Sequence, residues 1–120
     1  FMGEFRHNID AKGRLIIPSK LREQCADVVI TRGFDGCLAL YTQEGGNELL
    51  SKNSKHYQNI KEEARNFVRI ITSRASECEF DKLGRVNIPN VLRIEGKLEK
   101  ECIIVGVGDH VEIWNQNIWD

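Results

Sequence analysis

Residues 9–22 read Ile9-Asp10-Ala11-Lys12-Gly13-Arg14-Leu15-Ile16-Ile17-Pro18-Ser19-Lys20-Leu21-Arg22. The pattern returns 71 residues later, without gaps, as Phe80-Asp81-Lys82-Leu83-Gly84-Arg85-Val86-Asn87-Ile88-Pro89-Asn90-Val91-Leu92-Arg93. The Asp, the Gly, both Arg, and the Ile, Pro and Leu between them are identical in the two copies. A gapless repeat in a 120-residue chain predicts two copies of one small module.

Each motif is followed by an apolar strand, a glycine-containing turn and a second strand that ends in an aromatic residue. These are 28–31, 33–36 and 37–41 in the first copy, and 102–105, 106–109 and 110–114 in the second. Apolar residues alternate in the closing strands, as in half-buried strands. We therefore predict an α+β fold, mainly β, with a first module at 3–46, a connecting helical segment at 47–74 and a second module at 75–120.

The connecting segment differs from the two modules in its sequence pattern. Glu44-Gly45-Gly46-Asn47 is predicted to interrupt helix, because glycine disfavours helix interiors. Further on, we predict a helix from about Ile60 to Thr72, capped by Asn59 and Glu62, whose apolar face packs on the core. That face consists of Ile60, Ala64, Phe67, Val68 and Ile71.

Each Asp-x-x-Gly-Arg motif predicts a tight hairpin, since glycine accepts the positive φ that such a turn requires. The proline that follows can open a short helix. Leu21 and Leu92 would then point inward, leaving Arg22 and Arg93 exposed. The simplest role for Asp10 and Asp81 is an ion pair with the arginine of the same hairpin.

The overall net charge of −1 does not by itself indicate a nucleic-acid binder, but its distribution does. Residues 9–22 carry +3, residues 80–93 carry +2, and the remainder therefore carries −6. Arginine suits bidentate contact with phosphate or guanine, and lysine supplies a point charge to the DNA backbone. The residue chemistry predicts phosphate or base contacts for Arg14 and Arg85, with the nearby lysines in support.

Several other classes of protein are disfavoured. The apolar runs are far shorter than a membrane span, and the start shows no basic stretch followed by a long apolar region, so we expect a cytoplasmic protein. The four cysteines are widely spaced and apart from the histidines, which predicts reduced thiols, no metal site and no cofactor. Asp10 and Asp81 could share a proton, as the two aspartates of an acid–base dyad do. The arginine beside each carboxylate favours its ionised form instead, so we predict no enzyme.

Three segments together resemble the MraZ family of transcriptional regulators. They are the opening Met2-Gly3-Glu4-Phe5-Arg6-His7-Asn8-Ile9-Asp10-Ala11-Lys12-Gly13-Arg14-Leu15-Ile16-Ile17-Pro18, the turn Thr31-Arg32-Gly33-Phe34-Asp35-Gly36-Cys37-Leu38, and Ala75-Ser76-Glu77-Cys78-Glu79-Phe80-Asp81-Lys82-Leu83-Gly84-Arg85. The closing Glu112-Ile113-Trp114 and Trp119 are similar to the same family. The resemblance covers nearly the whole chain.

The resemblance implies two AbrB-like swapped-hairpin modules about a pseudo-twofold axis. It also implies a nucleoid-associated ring of identical chains that binds short direct repeats of double-stranded DNA in its own promoter region, at the head of the division and cell-wall gene cluster. Carried over by motif position, the DNA-binding residues are Lys12, Arg14, Lys82 and Arg85. Arg6, Lys20, Arg22 and Arg93 are added by adjacency.

The sequence departs from the family after Tyr41, where the glycines predict a first connecting helix that is short or shifted. Family members commonly continue with an acidic tail after the position that corresponds to Asp120. Two alternatives stay open: an AbrB-like antitoxin that represses its own operon and binds a toxin, and a structural ring without DNA contact.

Overall fold

The computed structural model describes residues 1–23, 25–56 and 61–120, and only the backbone of residues 52–56. The first repeat forms β1 (Glu4–Asn8), β2 (Arg14–Ile16), α1 (Ser19–Arg22), β3 (Asp27–Arg32) and β4 (Leu38–Thr42). Helices α2 (Gln43–His56) and α3 (Glu62–Arg74) follow. The second repeat forms β5 (Ser76–Glu79), β6 (Arg85–Asn87), α4 (Asn90–Glu95), β7 (Glu101–Gly106) and β8 (Val111–Asn115), before α5 (Gln116–Trp119). The α+β class is confirmed.

The two repeats exchange strands. The larger sheet has the order β1-β7-β8-β4-β3-β5, with antiparallel neighbours throughout. Strand β1 of the first repeat pairs with β7 of the second, and β5 of the second pairs with β3 of the first. Replacing each strand by its counterpart gives the same order reversed, so a pseudo-twofold axis passes between β4 and β8. The predicted swapped modules are confirmed.

The core lies between this sheet and a two-stranded ribbon of β2 and β6, one strand from each repeat. The ribbon and the residues after it contribute Leu15, Ile17, Val86 and Ile88, none of which is exposed to solvent. The sheet contributes Val28, Ile30, Leu38, Leu40, Cys102, Ile104, Val111 and Ile113. Both repeats therefore bury their apolar residues in one shared core, which is the main stabilising force of the fold.

The short helices after the prolines follow the sequence expectation. Helix α1 begins directly after Pro18, and α4 directly after Pro89. Leu21 and Leu92 are buried as predicted. All four cysteines are free thiols, two of them buried.

The predicted interruption at residues 44–47 is wrong, because α2 runs through both glycines. The N–H of Gly45 donates to Oγ1 of Thr42 over 2.9 Å, a hydrogen bond that caps the helix N-terminus. A Cβ on Gly46 would lie only 2.7 Å from Cγ2 of Val29 in β3. The glycine thus lets α2 approach the sheet more closely than a larger residue allows, and this packing offsets its low helix propensity.

Helix α3 is confirmed, but both ends are shifted: it begins at Glu62 after Lys61, with no side-chain capping hydrogen bond, and it ends at Arg74 rather than Thr72. The predicted cap is therefore wrong. Ile60 and the predicted cap residue Asn59 lie outside the described residues. Val68 and Ile71 are buried, and the Ile71 carbonyl accepts a 2.7 Å hydrogen bond from Thr31 Oγ1 in β3. The rest of the apolar face was wrongly assigned to the core: Ala64 and Phe67 are exposed, and Phe67 stacks on Phe34 at a centroid distance of 5.5 Å.

In the part of the chain that the structure describes, no helix combines the length and apolar character needed to cross a bilayer.

Candidate nucleic-acid interface

The first hairpin is organised around the carboxylate of Asp10. Its Oδ1 accepts hydrogen bonds from the backbone N–H groups of Lys12 (3.0 Å) and Arg14 (2.9 Å), and its Oδ2 accepts one from Arg14 Nε (2.7 Å). Gly13 adopts φ +86°, a left-handed conformation that favours glycine. The expected ion pair is present, but the backbone contacts show that Asp10 also shapes the turn.

The second hairpin repeats this geometry. Asp81 Oδ1 accepts from the N–H groups of Leu83 and Arg85, both at 2.9 Å, and Oδ2 accepts from Arg85 Nε at 2.7 Å. Gly84 has φ +76°. The two motifs are therefore equivalent in three dimensions, with Leu83 in the place that Lys12 occupies in the first hairpin.

Both aspartates are held in the ionised form. The pKa of Asp10 lies below its ordinary value of 3.8, chiefly because the backbone N–H of Arg14 donates to the carboxylate. The pKa of Asp81 is lowered for the same reason by Arg85. Each carboxylate also forms an ion pair with its own arginine, an arrangement that disfavours the shared proton of an acid–base dyad.

The two hairpins lie side by side on the same end of the molecule. Strands β2 and β6 pair antiparallel, with Leu15 opposite Val86. Arg85 Nη1 lies 3.9 Å from Asp10 Oδ2, so the second hairpin touches the first. Residues 10–22 and 81–93, which carry net charges of +3 and +2, are thereby brought onto a single surface, which we call the hairpin face.

Arg22 and Arg93 are half-buried rather than exposed, which corrects the sequence expectation. Arg22 Nε donates to the Ile17 carbonyl at 2.6 Å, and its guanidinium packs against Gly84 of the other repeat. The guanidinium of Arg93 packs against Gly13 in the same way: a Cβ on that glycine would be 2.8 Å from the arginine Cζ. Each arginine thus supports the hairpin of the opposite repeat.

Backbone hydrogen bonds also connect each repeat to the hairpin of the other repeat. The N–H of Ile17 donates to the Gly84 carbonyl at 3.0 Å, and the N–H of Ile88 donates to the Gly13 carbonyl at 2.8 Å. These contacts were not foreseen from the sequence. The sequence signal for them is the repeated Arg at the end of each motif, which the charge pattern assigns to the basic surface.

The remaining predicted contact residues fall into three groups. Lys12, Lys20 and Lys82 are exposed on the hairpin face. Arg14 and Arg85 keep 33% and 22% of their side chains exposed while paired. Arg6 lies instead on the edge strand β1 and donates to both carboxylate oxygens of Asp120, at 3.3 and 3.1 Å.

Among the described residues, no three His, Cys, Asp or Glu side chains are grouped so that they could hold a metal ion. The fold and the face together define the chain as a two-repeat, strand-swapped domain that presents paired basic hairpins.

The family model for the MraZ protein, described as antitoxin-like, matches residues 1–70 and again residues 71–120. The chain is 54% identical to the transcriptional regulator MraZ of Ligilactobacillus salivarius, over its whole length and 84% of that protein. It is 51% identical to the protein of the same name from Limosilactobacillus reuteri and 49% identical to that from Pediococcus pentosaceus, again with 84% of each covered. The chain belongs to the MraZ family. Its relatives are named as transcriptional regulators, a class without enzymatic activity, and these findings support a transcriptional regulator.

Proposed function

We propose that the chain is a sequence-specific regulator that binds double-stranded DNA through the hairpin face. The observation that carries the proposal is the pairing of two Asp-x-x-Gly-Arg hairpins on one end of the molecule, with Arg85 Nη1 3.9 Å from Asp10. This pairing concentrates positive charge on a chain whose net charge is −1. A polyanion is the partner that such a local excess favours.

The residues divide by role. Arg14 and Arg85 are oriented by their aspartates through Nε, and we assign them contacts with base edges or phosphates. Lys12, Lys20 and Lys82, which are exposed, contact the phosphate backbone. Arg22 and Arg93 support the hairpins from below, and Arg6 lies outside the interface.

The weak net charge argues that one chain binds DNA poorly and that several chains act together. The family resemblance supports a ring that engages short direct repeats in the chain's own promoter region, within the division and cell-wall gene cluster. Simultaneous engagement raises the effective concentration of each further hairpin face and thereby the affinity. Such a protein would act in the cytoplasm, on the nucleoid.

Footprinting on DNA from upstream of the chain's own gene tests this function. We expect protection of evenly spaced short repeats and affinity that falls steeply as salt rises, because phosphate contacts release counterions. A scrambled sequence of equal length serves as the control. Equal affinity for both DNAs at all salt concentrations would contradict sequence-specific regulation.

An antitoxin that represses its own operon is the second candidate, favoured by the antitoxin-like description of the family model. The two functions differ in their partner. An antitoxin would co-purify with a protein encoded beside it and would lose DNA affinity when that protein is removed. A regulator of the proposed kind keeps its DNA affinity as the purified chain alone.

A further inference from the structure

We infer that Leu83 contacts a thymine methyl group in the major groove, so that the two hairpins read different base chemistry. The inference rests on the proposed DNA-binding function. It makes Leu83 a determinant of sequence specificity and makes each chain bind its site in one direction.

Leu83 occupies the position in the second hairpin that Lys12 occupies in the first. The N–H of Leu83 donates to Asp81 Oδ1 at 2.9 Å, and the N–H of Lys12 donates to Asp10 Oδ1 at 3.0 Å. The glycine that follows each residue has a positive φ, +76° and +86°. Because the two turns share this geometry, the pseudo-twofold axis places the two side chains at equivalent points of the hairpin face.

The side chain of Leu83 is held in solvent. The residue is 67% exposed, whereas Val86 and Ile88 of the same repeat are fully buried. The hydrogen bond of its own N–H to Asp81 fixes the backbone at this point. An aliphatic group that a rigid turn keeps out of the core contributes little to folding, and exposure to water is unfavourable until a partner covers it.

Its surroundings indicate which partner covers it. Lys82 precedes Leu83, and Arg85 follows two residues later with its guanidinium oriented by Asp81. An anionic partner attracted by these cations must therefore offer an apolar group at the same place. Thymine does so, since its C5-methyl projects into the major groove, which is wide enough for a two-stranded β-element.

The exchange of lysine for leucine between the hairpins has a consequence for the DNA site. A backbone with twofold pseudo-symmetry and identical tips would read a palindrome. With Ala11-Lys12 at one tip and Lys82-Leu83 at the other, the two ends of the site differ, and the chain distinguishes one orientation from the other.

Replacing single thymines by deoxyuridine tests this contact, because the change removes only the methyl group. Binding of the full chain to operator DNA, meaning the repeat-containing DNA from upstream of its own gene, would be measured for each substituted position by fluorescence anisotropy. At the contacted thymine we expect wild-type affinity to fall about fourfold per bound chain, the effect of one methyl group leaving an apolar contact. Leu83→Ala should bind more weakly and show no further loss at that position.

Two variants serve as controls. Lys12→Ala should weaken binding but retain the deoxyuridine effect, since it alters the other hairpin. Ile118→Ala, which truncates an exposed aliphatic residue in α5, away from the hairpin face, should leave both affinity and the deoxyuridine effect unchanged.

Deoxyuridine effects that are absent, or equal in wild type and Leu83→Ala, would overturn the inference while leaving the proposed function intact. So would a Leu83→Ala protein that changes its assembly size but retains the deoxyuridine effect, because Leu83 would then contact another chain. Absence of operator binding by the wild-type protein would instead overturn the proposed function itself.

Discussion

At the scale of single residues, the glycine of each hairpin meets two demands at once. It adopts a positive φ, and it leaves room for the guanidinium of an arginine from the other repeat. Gly108 offers a natural comparison, because it has φ +78° but nothing within 4 Å of an added Cβ. The cost of the backbone conformation can therefore be separated from the cost of the lost contact.

Gly108→Ala should destabilise the protein by about 1 kcal/mol, the cost of a left-handed conformation for a residue with a Cβ. Gly84→Ala should cost more, because the added methyl group also displaces Arg22 from its hydrogen bond to Ile17. Urea denaturation of the two variants measures the difference. Adding Arg22→Ala to Gly84→Ala should recover part of it, whereas strictly additive effects would show that glycine and arginine are not coupled.

The aspartates make the hairpins sensitive to acid. The pKa of Asp10 and of Asp81 is lowered in the folded state, so the unfolded chain binds more protons as the pH falls below about 4. Their contribution to stability is fully present above that pH and is lost as the pH falls through the lowered folded pKa. The double variant Asp10→Asn, Asp81→Asn should be less stable at neutral pH.

The same double variant should also lose less stability in acid than the wild type. Thermal unfolding followed by circular dichroism from pH 7 to pH 3 provides the measurement. Parallel curves for the two proteins would show that the acid response arises from other carboxylates.

The sequence could predict the residues of the hairpins but not the full role of each. The roles of Asp10, Gly13 and Arg14 depend on local turn chemistry, which the Asp-x-x-Gly-Arg motif makes visible in the sequence. The supporting role of Arg22 could not be predicted, because its contact with Gly84 spans 62 residues and depends on the exchange of strands. The local sequence instead predicts that Arg22 is an exposed cation.

At the level of helices and strands, α2 shows that tertiary packing can outweigh the low helix propensity of glycine. A glycine pair predicts a break, yet the pair lies in the first turns of a 14-residue helix. The sequence carries no local record that Val29 of β3 is within 2.7 Å of where a Cβ on Gly46 would be. Helix α3, by contrast, was predicted from its periodicity, which is a local property.

Gly46→Ala provides a test of this explanation. Helix propensity alone predicts a gain of about 1 kcal/mol, whereas collision with the branched side chain of Val29 predicts a loss. We expect a net decrease in the free energy of unfolding, and a smaller decrease when Val29→Ala is the background. A more stable Gly46→Ala protein would show that the glycine is not required for close packing.

At the scale of the whole molecule, the pseudo-twofold axis and the shared core place both hairpins on one end. The fold class and the repeat could be predicted because the motif occurs twice in the sequence. Assembly was also predicted, through the family resemblance, and stays a prediction.

A DNA with one repeat should bind far more weakly than one with several repeats at their natural spacing. The expected difference is about 10²- to 10⁴-fold, because linked sites raise the effective concentration without new contacts. Titrations of both DNAs at fixed salt measure it. Equal affinities would contradict multivalent binding. The matched control is a DNA that contains the same repeats with an extra half helical turn inserted between them.

Whether the hairpin face binds DNA can be measured by comparing the operator affinity of Arg14→Ala with that of Arg6→Ala. Both variants remove an arginine that forms an exposed or half-exposed ion pair, but only Arg14 lies on the hairpin face. Neither should unfold the protein, since such pairs contribute little to stability. Arg14→Ala should lose about 1 to 3 kcal/mol of binding free energy per bound chain if the contact is bidentate to a base, and Arg6→Ala should bind as wild type. If instead Arg14→Ala keeps wild-type affinity while Arg6→Ala loses it, the DNA is bound elsewhere and the hairpin face is not the interface.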